Sequence, residues 1–352
     1  MHKFIDRYLI KGLGGMASGL FCTLIIGLII KQIGLLLPDT VVGNTLLGIA
    51  SLATVLTGVG IGIGTAHQLE ASKLVLYSSA INGLIGAYAT GFLGGTLIKE
   101  GQVILAGPGD PVGAFLATVI GLEIGKLVAG KTKLDILITP AVTIITGSVT
   151  ALILGPPISG FMTGLGSVIG YATELQPFLM GIVISVLMGM FLTLPISSAA
   201  ISMMLGLSGL AAGAATAGCT AQMIGFAIIS YRENKVGGLL AQGLGTSMLQ
   251  VPNIVRNPRI WLPPTIASAI TGPLATMVFK MENVAAGAGM GTSGLVGPIF
   301  TWQTMIQNHS PLQVIFSIMI VQFILPAIIS LIIAEGMRKK EWIKFGDLKL
   351  EL

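Results

Sequence analysis

Charge is what this sequence has least of. Asp, Glu, Lys and Arg make up 9% of its 352 residues, against roughly 25% in an ordinary soluble domain. With 53% of its residues hydrophobic, a soluble globule of this length would have too little water-compatible surface to cover itself. Cysteine is almost absent as well. Cys22 and Cys219 both lie in apolar stretches without Cys-x-x-Cys spacing, which argues against a disulfide framework and a zinc site. The three histidines, His2, His67 and His309, stand at the terminus or at the edges of apolar segments, with no second ligand at metal spacing. A Walker A sequence is missing. Gly289-x-Gly291-x-x-Gly294 fits the dinucleotide pattern, but no strand pattern precedes it and no acid follows before Glu335. No nucleophile–base constellation stands out. The expectation is therefore a chain with no catalytic residues of its own, no metal site and no cofactor.

Alternating-polarity strands are missing too, which argues against a membrane β-barrel. Helices remain, since lipid offers no partner to an open backbone, and the mean hydropathy of +0.91 agrees. The expected fold is all-α: a polytopic integral membrane protein. The formal charge of +5 is not a nucleic-acid footprint, because the basic residues gather at helix ends and termini.

Glycine is in excess: 49 residues, about twice the ~7% norm. Many stand at small-xxx-small spacing, as in Gly91/Gly95, Gly121/Gly125, Gly160/Gly164, Gly166/Gly170 and Gly209/Gly213. That spacing lets helix backbones approach closely. The denser run at 287–297 marks broken helices lining a cavity. Prolines punctuate the second half, among them Pro140, Pro156, Pro157, Pro195, Pro252, Pro258, Pro263, Pro264, Pro273 and Pro298. Their density beside glycine runs argues for discontinuous helices of the transporter kind.

Lys3, Arg7 and Lys11 recur on one helical face of residues 1–13 and Phe4, Ile5, Tyr8 and Leu9 on another. This predicts an amphipathic interfacial helix before the first span. Residues 338–352 carry Arg338, Lys339, Lys340, Lys344 and Lys349. By the positive-inside rule both termini are cytoplasmic. Between them, 14–337 forms the transmembrane domain, with apolar segments near 14–36, 45–66, 74–98, 112–130, 136–155, 158–174, 177–205, 207–230, 260–281 and 311–335. That gives about ten transmembrane helices. The pieces 239–252 and 284–307 fit poorly as full spans and are expected to be re-entrant or interfacial.

Charges at bilayer depth need a partner or a purpose. Glu123 and Lys126, three apart on one helix, are expected to neutralise one another. Glu282, between Lys280 and Asn283 and beside the glycine-rich stretch, is either an acceptor for sugar hydroxyls or a loop residue in water. Thr292 and Ser293 are hydroxyl partners for a ligand or helix caps. The segment 250–261 gathers Gln250, Asn253, Arg256, Asn257 and Arg259. It is suited either to polyol or anion recognition or to anchoring at headgroups beside Trp261. Gln222 either bonds a neighbouring helix or faces a ligand.

The stretch 194–284, which includes GCTAQMIGFAIISYRENKVGGLLAQGLGTSMLQVPNIVRNPRIWLPPTIASAITGPLATMVFKMENV, resembles the EIIC-like membrane proteins of the bacterial phosphotransferase system typified by the perfringolysin regulator PfoR. The resemblance runs over nearly the whole chain. It implies a bacterial inner-membrane permease component with an EIIC-type transporter fold, re-entrant hairpins and a homodimeric state. It also implies an elevator-like domain carrying a sugar, with a glutamate near a hairpin tip and a histidine in contact with it. Glu282 is the candidate for that glutamate, although Asn283 replaces the proline of the usual Glu-Pro pair. No histidine lies between His67 and His309. The cytoplasmic IIA and IIB domains are not in this chain, so phosphorylation would need separate IIA/IIB proteins, and the chain would be at most the membrane subunit of a sugar phosphotransferase. The expected substrate-binding set is Glu282, Asn283, Gln222, Asn253, Arg256, Asn257, Thr292 and Ser293. The competing expectation is a membrane sensor or regulator that keeps the permease fold.

Overall fold

Apolar runs broken by glycine and proline become helices of very unequal length. The computed structural model describes residues 4–99 and 101–350. Lys3 and His2, expected on the amphipathic start, and 351–352 at the end of the basic tail lie outside the described residues. Among the described residues, five helices are long and apolar enough to cross a membrane, and a sixth crossing results if one bent pair counts as a single span. The chain divides into two compact units, Met1–Phe161 and Met162–Leu352.

In the first unit, α1 runs Ile5–Leu35 without interruption. The amphipathic start and the first span are thus one helix of about 46 Å, longer than the ~30 Å hydrocarbon core. Helices α2 (Val41–Val55) and α3 (Thr57–Gln68) meet at a bend of 52°. α4 (Lys73–Ala87) and α5 (Pro111–Val128) follow. Between them, a short antiparallel ribbon pairs Ile98 with Val103. Close backbone approach holds the unit together: a Cβ on Gly60 of α3 would stand 2.6 Å from the Gly19 carbonyl oxygen of α1. Only glycine permits that spacing.

Glu123 does not pair with Lys126. Its Oε1 accepts from Arg7 Nη2 at 2.6 Å and from Nε at 3.1 Å, while the Lys126 ammonium donates to the Leu69 carbonyl. A guanidinium reaching in from α1 offers two donors to one carboxylate, and Lys126 instead satisfies a carbonyl at the end of α3.

The segments expected as 136–155 and 158–174 form one helix of 39 residues, α6 (Asp135–Thr173), with Pro140, Pro156 and Pro157 inside it. A proline removes one ladder bond and disfavours the helical turn before it, yet it does not by itself end a helix. Ile136, Leu137, Ile145, Val149, Ile153, Phe161, Val168 and Tyr171 of α6 are exposed, as side chains solvated by lipid would be.

In the second unit, α7 (Pro177–Thr193), α9 (Leu262–Pro273), α10 (Val296–Met305) and α11 (Pro311–Lys339) pack against an axis of small residues on α8 (Gly209–Ile229). From Ala212 to Met223 every residue is buried, and alanine, glycine, threonine and cysteine let neighbours close in from all sides. Neither 239–252 nor 284–307 forms a span-length helix. The first breaks into turns at Ala241–Gly245 and Ser247–Gln250. The second holds Ala285–Ala288, Ser293–Leu295 and α10.

Candidate solute site

The amide of Gln222 sits mid-way along α8 and is fully buried. Its Oε1 accepts from Trp261 Nε1 at 3.0 Å and from Thr193 Oγ1 at 3.2 Å, and its Nε2 donates to Thr265 Oγ1 at 3.2 Å. Thr193 in turn shares a 2.8 Å hydrogen bond with Ser247, in the first broken segment. The second broken segment reaches the same stretch of α8. Gly291, at φ +53°, lies against Cys219, where a Cβ would come within 3.0 Å. Thr292 Oγ1 donates to Met223 Sδ at 3.5 Å. The turn 293–295 packs against 241–245. Two interrupted segments therefore meet over Cys219, Gln222 and Met223.

Backbone strain marks the second of them. Gly294 and Leu295 are consecutive residues in the left-handed region, at φ 53° and 58°. For leucine that conformation costs roughly 1–2 kcal/mol. It turns the chain sharply into α10 and leaves Ser293 Oγ buried without a hydrogen-bond partner. A buried hydroxyl left unpaired costs about 1–3 kcal/mol.

Asn283 and Glu282 are neighbours with different surroundings. Asn283 is fully buried, and its Nδ2 lies within bonding distance of Thr216 Oγ1 (2.8 Å), Thr301 Oγ1 (3.1 Å) and the Gly297 carbonyl (3.2 Å). Gln322 Nε2 extends the group by donating to Thr301 at 2.9 Å. This is a polar lock among α8, α10 and α11. The half-buried Glu282 carboxylate has no hydrogen bond or ion pair among the described residues. Thr216 and Gln222 are six residues apart on α8, about 9 Å along its axis.

Asn253 and Asn257 turn elsewhere. Asn253 Nδ2 donates to the Lys349 carbonyl at 2.9 Å and to Gln250 Oε1 at 2.8 Å. Asn257 Nδ2 donates to Asp347 Oδ2 at 2.7 Å and to the Trp342 carbonyl at 3.1 Å. Arg256 reaches Asn253 Oδ1 at 3.5 Å. The segment 250–257 thus receives the chain's own basic tail. Ile343 and Leu348 complete that docking in an apolar cluster with Phe226, Ile229, Ile254, Ile260, Ala334 and Met337.

Hydropathy and spacing gave no access to Thr193, Ser247, Thr265, Thr216, Thr301 and Gln322. Hydroxyls are common throughout this chain and mostly bond their own helix, so no pattern separates these from the rest. Trp261 stood out only as an interfacial aromatic.

The arrangement of interrupted helices around a buried polar axis agrees with one comparison. A model of the family described as "Phosphotransferase system, EIIC" matches residues 10–350. The chain belongs to that EIIC family. It is thus a multi-pass, permease-type membrane component of a phosphotransferase system. Neither curated proteins nor solved structures gave a match.

Close to the docked tail, burial pushes the Glu233 carboxyl above its ordinary value, against the weaker opposing pull of Arg338. A raised carboxylate pKa means that the folded state holds the proton more tightly than the unfolded one. Its contribution to stability is therefore full below the unfolded value, about 4.3, and is lost as pH rises through the higher folded value. In melting curves between pH 4.5 and 8, Glu233→Gln is expected to flatten the decline seen in the wild type. A parallel decline in both proteins would dismiss Glu233 as the titrating group.

Proposed function

We propose that this EIIC family member binds a sugar or related polyhydroxyl solute where the two interrupted segments meet α8, and moves it across the membrane by alternating access. The observation that carries this is the buried, unpartnered Ser293 hydroxyl at a strained turn, next to Thr292, whose hydroxyl bonds Met223, the neighbour of Gln222 on α8. A solute hydroxyl there would supply the bond that the protein leaves unmade. Glu282, with an uncommitted carboxylate, is the acceptor we assign to a second solute hydroxyl. Gln222 and Thr292 line the site, and Asn283 holds it in shape. We further propose cytoplasmic termini in a bacterial cell membrane, a homodimer, and phosphorylation of the solute by separate IIA and IIB proteins.

Thermal stabilisation of the purified protein by a panel of sugars and sugar alcohols tests the site. A binder should raise the melting temperature with concentration. Ser293→Ala removes one solute hydrogen bond, about 1.4 kcal/mol or tenfold in affinity, without lowering the melting temperature of the free protein. Glu282→Gln should weaken binding at least as much. Equal binding by both variants would refute the assignment.

One observation favours a second reading, a membrane regulator that keeps the permease fold. The amides of Gln222 and Asn283 are engaged within the protein, and no histidine stands in the central region. A deletion strain with altered transcript levels and undiminished uptake of every sugar tested would decide for it.

A further inference from the structure

Where α11 ends, the chain makes a left-handed turn. Glu341 (φ 57°) donates its N–H to the Arg338 carbonyl, and Trp342 donates to Met337. That pattern closes a helix and sends the chain back across it. The returning segment forms one side of an open, surface-exposed cavity of about 460 Å³ lined by Arg232, Arg338, Glu341, Ile343, Lys344 and Phe345.

Three cations and one acid form its polar wall, and they are unequally engaged. Arg338 is committed: Nη1 donates to Glu335 at 2.9 Å, and Nη2 to the Ile229 carbonyl at 2.7 Å and to Glu233 at 3.4 Å. Arg232 makes one bond, from Nη2 to the other oxygen of that same Glu335 at 3.1 Å. One carboxylate therefore serves two guanidinium groups. The remaining N–H groups of Arg232, and the whole ammonium of Lys344, have no acceptor among the described residues. Ile343 and Phe345 supply apolar wall beside them.

We propose that this cavity binds an oxyanion of the phosphate class, held by the Arg232 guanidinium and the Lys344 ammonium. An arginine fork and a lysine point charge together match a group with three or more acceptor oxygens better than a carboxylate with two. Such a group occurs in free phosphate, in phosphomonoesters and in the headgroup of an anionic phospholipid. This inference does not depend on the solute site proposed above.

The test uses full-length protein in neutral detergent, titrated with inorganic phosphate at constant ionic strength set by chloride. Phosphate should raise the melting temperature of the wild type in a saturable way. Lys344→Gln and Arg232→Gln should each weaken that response tenfold or more, and Lys344→Arg should retain it. The Lys344 side chain makes no bond within the protein, so its substitution should leave the unliganded melting temperature unchanged. A second arm compares nanodiscs of phosphatidylcholine alone with discs containing phosphatidylglycerol. A phosphate response that persists in both assigns the site to a free oxyanion. Stabilisation by phosphatidylglycerol that is lost in Lys344→Gln assigns it to a lipid headgroup. The proposal fails if neither phosphate nor phosphatidylglycerol stabilises the wild type more than Lys344→Gln.

Discussion

Gly218→Val is expected to leave no monodisperse protein after detergent extraction. Gly218 stands on α8 where α7 passes, and an added Cβ would collide with the carbonyl oxygen, carbonyl carbon and Cα of Ser185. All three are positions that no rotamer change can move. α9 closes the same junction: Ser185 Oγ donates to the Ser268 carbonyl at 2.7 Å, and Ser268 Oγ donates to the Gly218 carbonyl at 3.2 Å. Pushing α7 away from α8 therefore also breaks hydrogen bonds between buried groups. Overpacking costs about 1–3 kcal/mol, and each hydroxyl or carbonyl left unpaired about 1–3 kcal/mol more. The total is comparable with the whole stability of a domain, about 5–15 kcal/mol. Size-exclusion chromatography of the extracted protein measures it. A wild-type peak with a melting temperature within a few degrees would mean that the helices do not meet this closely.

Ending the chain after Lys340 should lower the melting temperature by roughly 10 °C or more. The lost segment contributes Ile343 and Leu348, both buried in the cluster beneath α11, and each aliphatic side chain is worth about 1.5–3 kcal/mol. It also supplies the partners of four amides. Asn234 donates to the Leu348 carbonyl and accepts from the Leu350 N–H, Gln250 donates to Leu348, Asn253 to Lys349, and Asn257 to Trp342 and Asp347. Water would take over part of these bonds, so the apolar loss dominates. About 4 kcal/mol in a unit of this size corresponds to roughly 10 °C. Replacing Ile343 and Leu348 together with serine in the full chain should reproduce most of the loss, and substituting Lys349 little of it. A truncated protein that melts like the wild type would mean that the tail docks without stabilising.

These two regions differ in how far the amino-acid sequence announces them. Scarcity of charge is enough to require helices in lipid, and the glycine run at 287–297 marks a helix that cannot stay whole. Both follow from local chemistry. Pro156-Pro157 misleads for the same reason: local propensity predicts a break, while α6 continues through it. Partnerships across long stretches of chain leave no such trace. Glu123 bonds Arg7, 116 residues away, in place of Lys126 three residues away. The amides of 250–257 look like ligand-binding groups until their acceptors are found in the tail. Among the site candidates, Gln222, Thr292 and Ser293 share one locus. Glu282 and Asn283 lie about two turns along α8, and Asn253 and Asn257 attend to the tail. Only the fold distinguishes a buried amide that locks helices from one that faces a solute.

The docked tail also bears on the order of synthesis. Every helix of the second unit leaves the ribosome before residues 342–350 do. Until they arrive, Asn234, Gln250, Asn253 and Asn257 lack their acceptors and donors, and the apolar cluster beneath α11 stays open. A domain normally folds as a unit once its chain is complete. Here the last packing contacts come from the turn-rich segment 342–350, so formation of the helices of the second unit and completion of its packing are separate events. A protease or chaperone that reads exposed apolar surface has that interval in which to tell packed molecules from unpacked ones.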